Sequence, residues 1–129
     1  MTTASASRLI LVDSSGWLEY CTEDTKAEVF ARYLEAQNQV LVPTIVLYEV
    51  YKNLNQLEGK PAADRFASQA LRCRIAILDE DVALGAAITS SKYHLAISDA
   101  IIYATAQRFG AQLITSDPHF RNLPGVNML

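Results

Sequence analysis

The stretch Leu9-Ile10-Leu11-Val12-Asp13-Ser14-Ser15 decides the fold class. Four apolar residues in a row, without alternation, describe a strand buried on both faces, as in a parallel sheet covered by helices. The run stops at a carboxylate, followed by two hydroxyl residues and Gly16. In an open α/β sheet the residues after a strand reach the carboxyl edge, where such folds keep their ligand crevice. Asp13 is thereby held at that edge, close to neighbouring strand ends and partly shielded from water.

Outward from this stretch the pattern repeats. Val40-Leu41-Val42-Pro43 is a second short apolar strand, Arg74-Ile75-Ala76-Ile77-Leu78 a third and Gln112-Leu113-Ile114-Thr115 a fourth, with Val126-Asn127-Met128-Leu129 a weakly signalled last one. Helical spacing is expected between them, over residues 17–21, 24–37, 45–57, 61–72, 82–91 and 99–109. Thr44 and Ser98 are placed to cap two of these helices, Pro61 suits a first turn, and Gly59 and Gly110 stop helices. Short strands alternating with helices imply the α/β class, with a mostly parallel sheet covered on both faces.

At 129 residues the chain is expected to be one domain, 1–129, with a loose polar end at residues 1–7. Half of it is hydrophobic and 19% is charged, as in a compact soluble protein. No apolar run approaches a membrane span, and no signal peptide is recognisable. Cys21 and Cys73 lack a disulfide framework and read as reduced thiols, so a cytoplasmic location is expected. A net charge of −3 and a pI near 5.3 argue against nucleic-acid binding through a broad basic surface.

Four acids stand out, each with an ordinary alternative. Asp13 could simply cap the following turn, although Ser14 and Ser15 could do so without a charge. Asp99 suits a helix N-terminus, yet it starts the apolar stripe Ile102, Tyr103 and Ala106, where an uncompensated charge is costly. Asp117, before Pro118, is a routine turn opener that leaves the sheet at the same edge as Asp13. Glu49 borders the stripe Val46, Val50, Leu54 and Leu57, where Asn53 could hold it by a hydrogen bond. Together, carboxylates converging on one edge repel one another unless a divalent cation sits among them. Oxygen ligands without clustered His or Cys point to Mg2+ or Mn2+, and such a cage suits phosphodiester hydrolysis. His94 and His119 read as isolated, no nucleotide-binding glycine loop is present, and Lys52, Lys92 and Arg121 are candidate phosphate contacts.

The order of Leu-Val-Asp-Ser-Ser, Val-Pro-Thr-Ile-Val-Leu-Tyr-Glu-Val, Ser-Asp-Ala-Ile-Ile-Tyr-Ala-Thr-Ala and Leu-Ile-Thr-Ser-Asp-Pro-His-Phe resembles the PIN domain. Within that family it is most similar to the VapC toxins of type II toxin–antitoxin systems. The resemblance implies a three-layer α/β/α domain with a five-stranded sheet in the order 3-2-1-4-5. It implies a Mg2+- or Mn2+-dependent endoribonuclease that hydrolyses RNA with metal-activated water. Asp13, Glu49, Asp99 and Asp117 would be the catalytic, metal-binding quartet, with Ser116 and Ser14 in support. The implied partners are an RNA substrate, a cognate antitoxin gripping a hairpin near residues 44–72, a second copy of the chain, and DNA only through the antitoxin. The competing reading is an inactive PIN-like module that acts by binding proteins. A receiver-like phosphoacceptor would need an acidic pair where Asp13-Ser14 stands.

Overall fold

The computed structural model describes Arg8–Leu129, so the loose end expected at residues 1–7 lies outside the described residues. The apolar run of the first strand becomes β1 (Ile10–Val12), buried along its length. It pairs in parallel with β4 (Gln112–Thr115), and β4 in turn with β5 (Val126–Met128). On the other side β2 (Leu41–Pro43) pairs in parallel with β3 (Arg74–Ala76) and meets β1 at the Ile10–Val40 bridge. The resulting order, β3-β2-β1-β4-β5, is the expected one, and pairing thins to one bridge between β1 and β2.

A central strand must be apolar on both faces, and Leu11, Val12, Leu113 and Ile114 are each 0% exposed. Each such side chain contributes roughly 1.5–3 kcal/mol when fully buried. The helices that cover them are α1 (Ser14–Cys21), α2 (Ala27–Leu34), α3 (Thr44–Glu58), α4 (Lys60–Ala70), α5 (Glu80–Tyr93) and α6 (Ile97–Phe109). One group is built from α1 on α2, α1 on α3 and α3 on α4, while α5 packs against α6. Trp17 of α1 joins the first group. Its ring meets Phe66 of α4 edge-on at 5.2 Å and Tyr20 at 6.1 Å. Helix α6 buries Ala100, Ile102, Tyr103, Ala104 and Ala106, and the Tyr103 hydroxyl donates to the Pro124 carbonyl at 2.7 Å, pinning the approach to β5.

Several local expectations are corrected. Thr44 does not cap α3: Pro43, in extended backbone, holds that position, and Thr44 Oγ1 instead accepts from the Leu78 amide at 3.3 Å. Ser98 lies inside the first turn of α6, which starts at Ile97 after Ala96 without a side-chain cap. The helix expected over 24–37 is shorter and gives way to a 3-10 turn, Gln37–Gln39. Strand β3 stops at Ala76, leaving Ile77 and Leu78 exposed. The two glycine stops are as expected: Gly59 (φ +96°) separates α3 from α4, and Gly110 (φ +64°) ends α6, both in the region that disfavours a side chain. Among the described residues no helix is long and apolar enough to cross a membrane, and Cys21 and Cys73 are free thiols.

Candidate active site

Asp13 follows β1 directly and is only 2% exposed. Its backbone is extended, and its Oδ1 accepts from the Gly16 amide at 3.0 Å, so Asp13 itself caps α1. The serines leave that role to it. Ser15 Oγ donates to Asp13 Oδ2 at 2.8 Å, as does Thr115 Oγ1 at the same distance. Burial outweighs these three donors and pushes the Asp13 carboxyl up to about 6, with the charge of Asp117 adding to the rise.

Strand pairing explains the partner. Register sets Val12 beside Ile114, so the next residues, Asp13 and Thr115, meet at the carboxyl edge. Thr115 Oγ1 also accepts from the Asp117 amide at 2.9 Å, and so links the two acids through one buried hydroxyl. Asp117 then opens a 3-10 turn, Pro118–Phe120, by accepting from the His119 amide at 2.9 Å, while Phe120 anchors the turn in the core. Asp99 comes from the first turn of α6 and is half-buried. Burial raises its pKa first, and the charges of Asp117 and Glu49 raise it further, against a lowering by His119. Glu49 reaches the site from α3, with its Oε1 taking a 2.6 Å hydrogen bond from Ser14 Oγ.

The structure thus brings Asp99 and Asp117 together, their carboxylate oxygens lying with a His119 ring nitrogen within 4.8 Å of one another. Asp13 is tied to Asp117 through Thr115, and Glu49 is tied through Ser14 to the turn that follows Asp13. Among the described residues no lysine or arginine forms an ion pair with any of the four acids. Such a set of charges calls for a cation, and an oxygen-rich donor set fits a hard divalent ion. Ser116 does not touch the quartet: its hydroxyl donates to Glu19 Oε1 at 3.3 Å, and Glu19 also accepts from the Lys26 amide. The partner of Glu49 is Ser14 rather than Asn53. Of the basic candidates, Lys52 lies over the Tyr48 ring at 5.8 Å and Lys92 over Tyr93 at 5.3 Å.

Thr115, Ser15 and His119 escaped the sequence reading. Thr115 carried a faint signal, a hydroxyl residue closing an apolar strand, whereas the proximity of His119 to Asp99 depends on tertiary structure alone.

A parallel sheet of this order with acids gathered at its carboxyl edge defines a class, and the chain belongs to the PIN domain family, whose sequence model matches residues 10–126. Its fold is that of the VapC toxins. A chain of a toxin–antitoxin complex from Klebsiella pneumoniae superposes with a TM-score of 0.79 at 26% identity, covering 92% of this chain and 96% of that one. VapC20 of Mycobacterium tuberculosis, a toxin that cleaves the sarcin–ricin loop, gives a TM-score of 0.69 at 22% identity, covering 86% and 92%. A DNA-bound VapBC of Salmonella typhimurium gives 0.76 at 12% identity, covering 95% and 97%. Among curated proteins no sequence match is found.

Proposed function

We propose that this PIN domain is the toxin of a type II toxin–antitoxin system, an endoribonuclease that hydrolyses RNA phosphodiester bonds with Mg2+ or Mn2+. The observation that carries the reading is the gathering of Asp13, Glu49, Asp99 and Asp117 around one edge with, among the described residues, no lysine or arginine paired to any of them. The Klebsiella relative in a toxin–antitoxin complex and the RNA-cleaving VapC20 support it.

In this reading the four acids hold the ion. When bound, the divalent ion supplies an activated water and neutralises charge on the phosphate. The chain's own residues set the geometry. The Thr115 and Ser15 hydroxyls and the Gly16 amide fix both oxygens of Asp13, so its carboxylate cannot swing away. Ser14 aims Glu49, and the amides of Asp117 and His119 fix the turn that presents Asp117. Ser116, whose hydroxyl donates to Glu19, holds none of the four acids. Uncompensated, the same carboxylates would repel an RNA phosphate, so RNA binding and cation binding are coupled.

The cognate antitoxin would engage the α3–α4 pair, where Leu47, Tyr48, Tyr51 and Leu71 line an apolar groove. The remaining parts of the proposal are a homodimer of a one-domain chain acting in the cytoplasm, with DNA reached only through the antitoxin. Purified protein incubated with RNA should cleave it with Mg2+ or Mn2+, stop on chelation, and lose activity in Asp99→Asn. A folded wild-type protein that cleaves no RNA with either ion would overturn the nuclease and leave a protein-binding module.

A further inference from the structure

Both histidines of the chain line one small cavity of about 180 Å3, and Asp99 forms part of its wall. His119 is the one that meets the acids. Its Nδ1 lies 3.1 Å from Asp117 Oδ1 and 3.6 Å from Asp99 Oδ2. Ligands at right angles around an ion with bonds of about 2.1 Å sit about 3.0 Å apart, and opposite ones about 4.2 Å. Separations of 3.1 Å and 3.6 Å, with all three atoms within 4.8 Å of one another, are therefore compatible with one shared ion. We propose that His119, through Nδ1, is a third ligand of the cation beside Asp99 and Asp117, and that it tilts the site toward Mn2+ over Mg2+. This rests on the reading of the acids as a cation centre.

Three features favour a ligand over a surface histidine. The backbone of His119 is fixed, since its amide donates to Asp117 and the next residue, Phe120, is 0% exposed. Its side chain is nonetheless 74% exposed, so the ring can adjust onto an ion without disturbing the core. Among the described residues the ring's polar contacts are these two carboxylates. The cavity beside the ring leaves room for the water or phosphate oxygen that completes an open shell.

The chemical consequence follows from donor type. Mg2+ holds to oxygen ligands and keeps its waters, whereas Mn2+ takes imidazole nitrogen as well as carboxylate oxygen. A nitrogen donor therefore adds affinity for Mn2+ and little for Mg2+.

The test uses the full chain, with Mn2+ and Mg2+ as probes. Mn2+ binding is followed by electron paramagnetic resonance, alone and in competition with Mg2+, in wild type and His119→Gln. Circular dichroism checks that the variant is folded. Wild type should show nitrogen modulation in the Mn2+ spin-echo signal, lost in His119→Gln, and the Mn2+/Mg2+ affinity ratio should fall by about tenfold in the variant, about 1.4 kcal/mol of differential affinity. Nitrogen modulation that survives in His119→Gln would assign it to His94 and overturn the proposal. So would an unchanged ratio, or tight Mn2+ binding with no nitrogen signal, and either would leave the acidic cation centre standing. Failure of wild type to bind either ion would remove that centre as well.

Discussion

Replacing Asp13 by asparagine should stabilise the protein in the absence of metal. Burial raises the Asp13 carboxyl from an ordinary 3.8 to about 6. The folded chain therefore keeps a proton that the unfolded chain releases. That advantage is fully present below about pH 4 and is lost as the pH rises through about 6. Above this window the buried charge costs the fold about 3 kcal/mol, the two-unit rise taken at 1.36 kcal/mol per unit. Asparagine removes the charge and keeps an oxygen for the Gly16 amide, but it returns an NH2 group to the Ser15 and Thr115 hydroxyls, at a cost of about 1 kcal/mol. The net gain is about 2 kcal/mol near pH 8, or a rise of about 5–10 °C in Tm for a domain of this size. Near pH 4, where Asp13 is already protonated, the gain vanishes or turns slightly negative. Thermal unfolding with chelator present, at both pH values, measures it. A variant that melts lower than wild type near pH 8 would refute the claim that Asp13 carries an uncompensated charge. Adding Mn2+ near pH 8 should reverse the ranking, because the ion relieves the wild-type charge and finds a weaker site in the variant.

Other consequences follow from the same geometry. Thr115→Val keeps the shape but removes the hydroxyl that links Asp13 to the Asp117 amide. It should cost about 1–3 kcal/mol in urea unfolding and lower RNA cleavage, with Thr115→Ser largely restoring both. Gly16→Ala would set a Cβ 2.5 Å from Val12 Cγ1 and 2.7 Å from Phe30 Cε1, and should lose about 1–3 kcal/mol through forced displacement of β1 or α2, read as a lower urea midpoint. Asp117→Asn keeps the oxygen that accepts the His119 amide, so it should melt close to wild type while divalent-dependent cleavage falls below detection.

Much of this was legible in the chain because parallel strands announce themselves. Leu9 to Val12 is an unbroken apolar run, and β4 carries the buried pair Leu113-Ile114 between Gln112 and Thr115, as strands of a sheet covered on both faces do. The positions of Asp13 and Asp117 followed, since each stands just after such a run. The caps were less legible. Whether Thr44 or Ser98 caps a helix depends on which residue is the last in extended backbone, and Pro43 and Ala96 hold that place. Thr115 went unseen for a related reason: successive strand residues point to opposite faces, and only the β1–β4 register shows that Thr115 faces Asp13. His119 looked isolated because its neighbour Asp99 is twenty positions away on another element, brought near by α6 and the turn after β4.

The central claim is that four carboxylates from β1, α3, α6 and the turn after β4 make one divalent-cation centre. Anomalous diffraction from a crystal soaked in Mn2+ tests it most directly. A peak within bonding distance of Asp99 and Asp117, with Asp13 and Glu49 around it, is the expected result. Saturating Mn2+ that leaves this edge empty, or settles on another face of the domain, would contradict it.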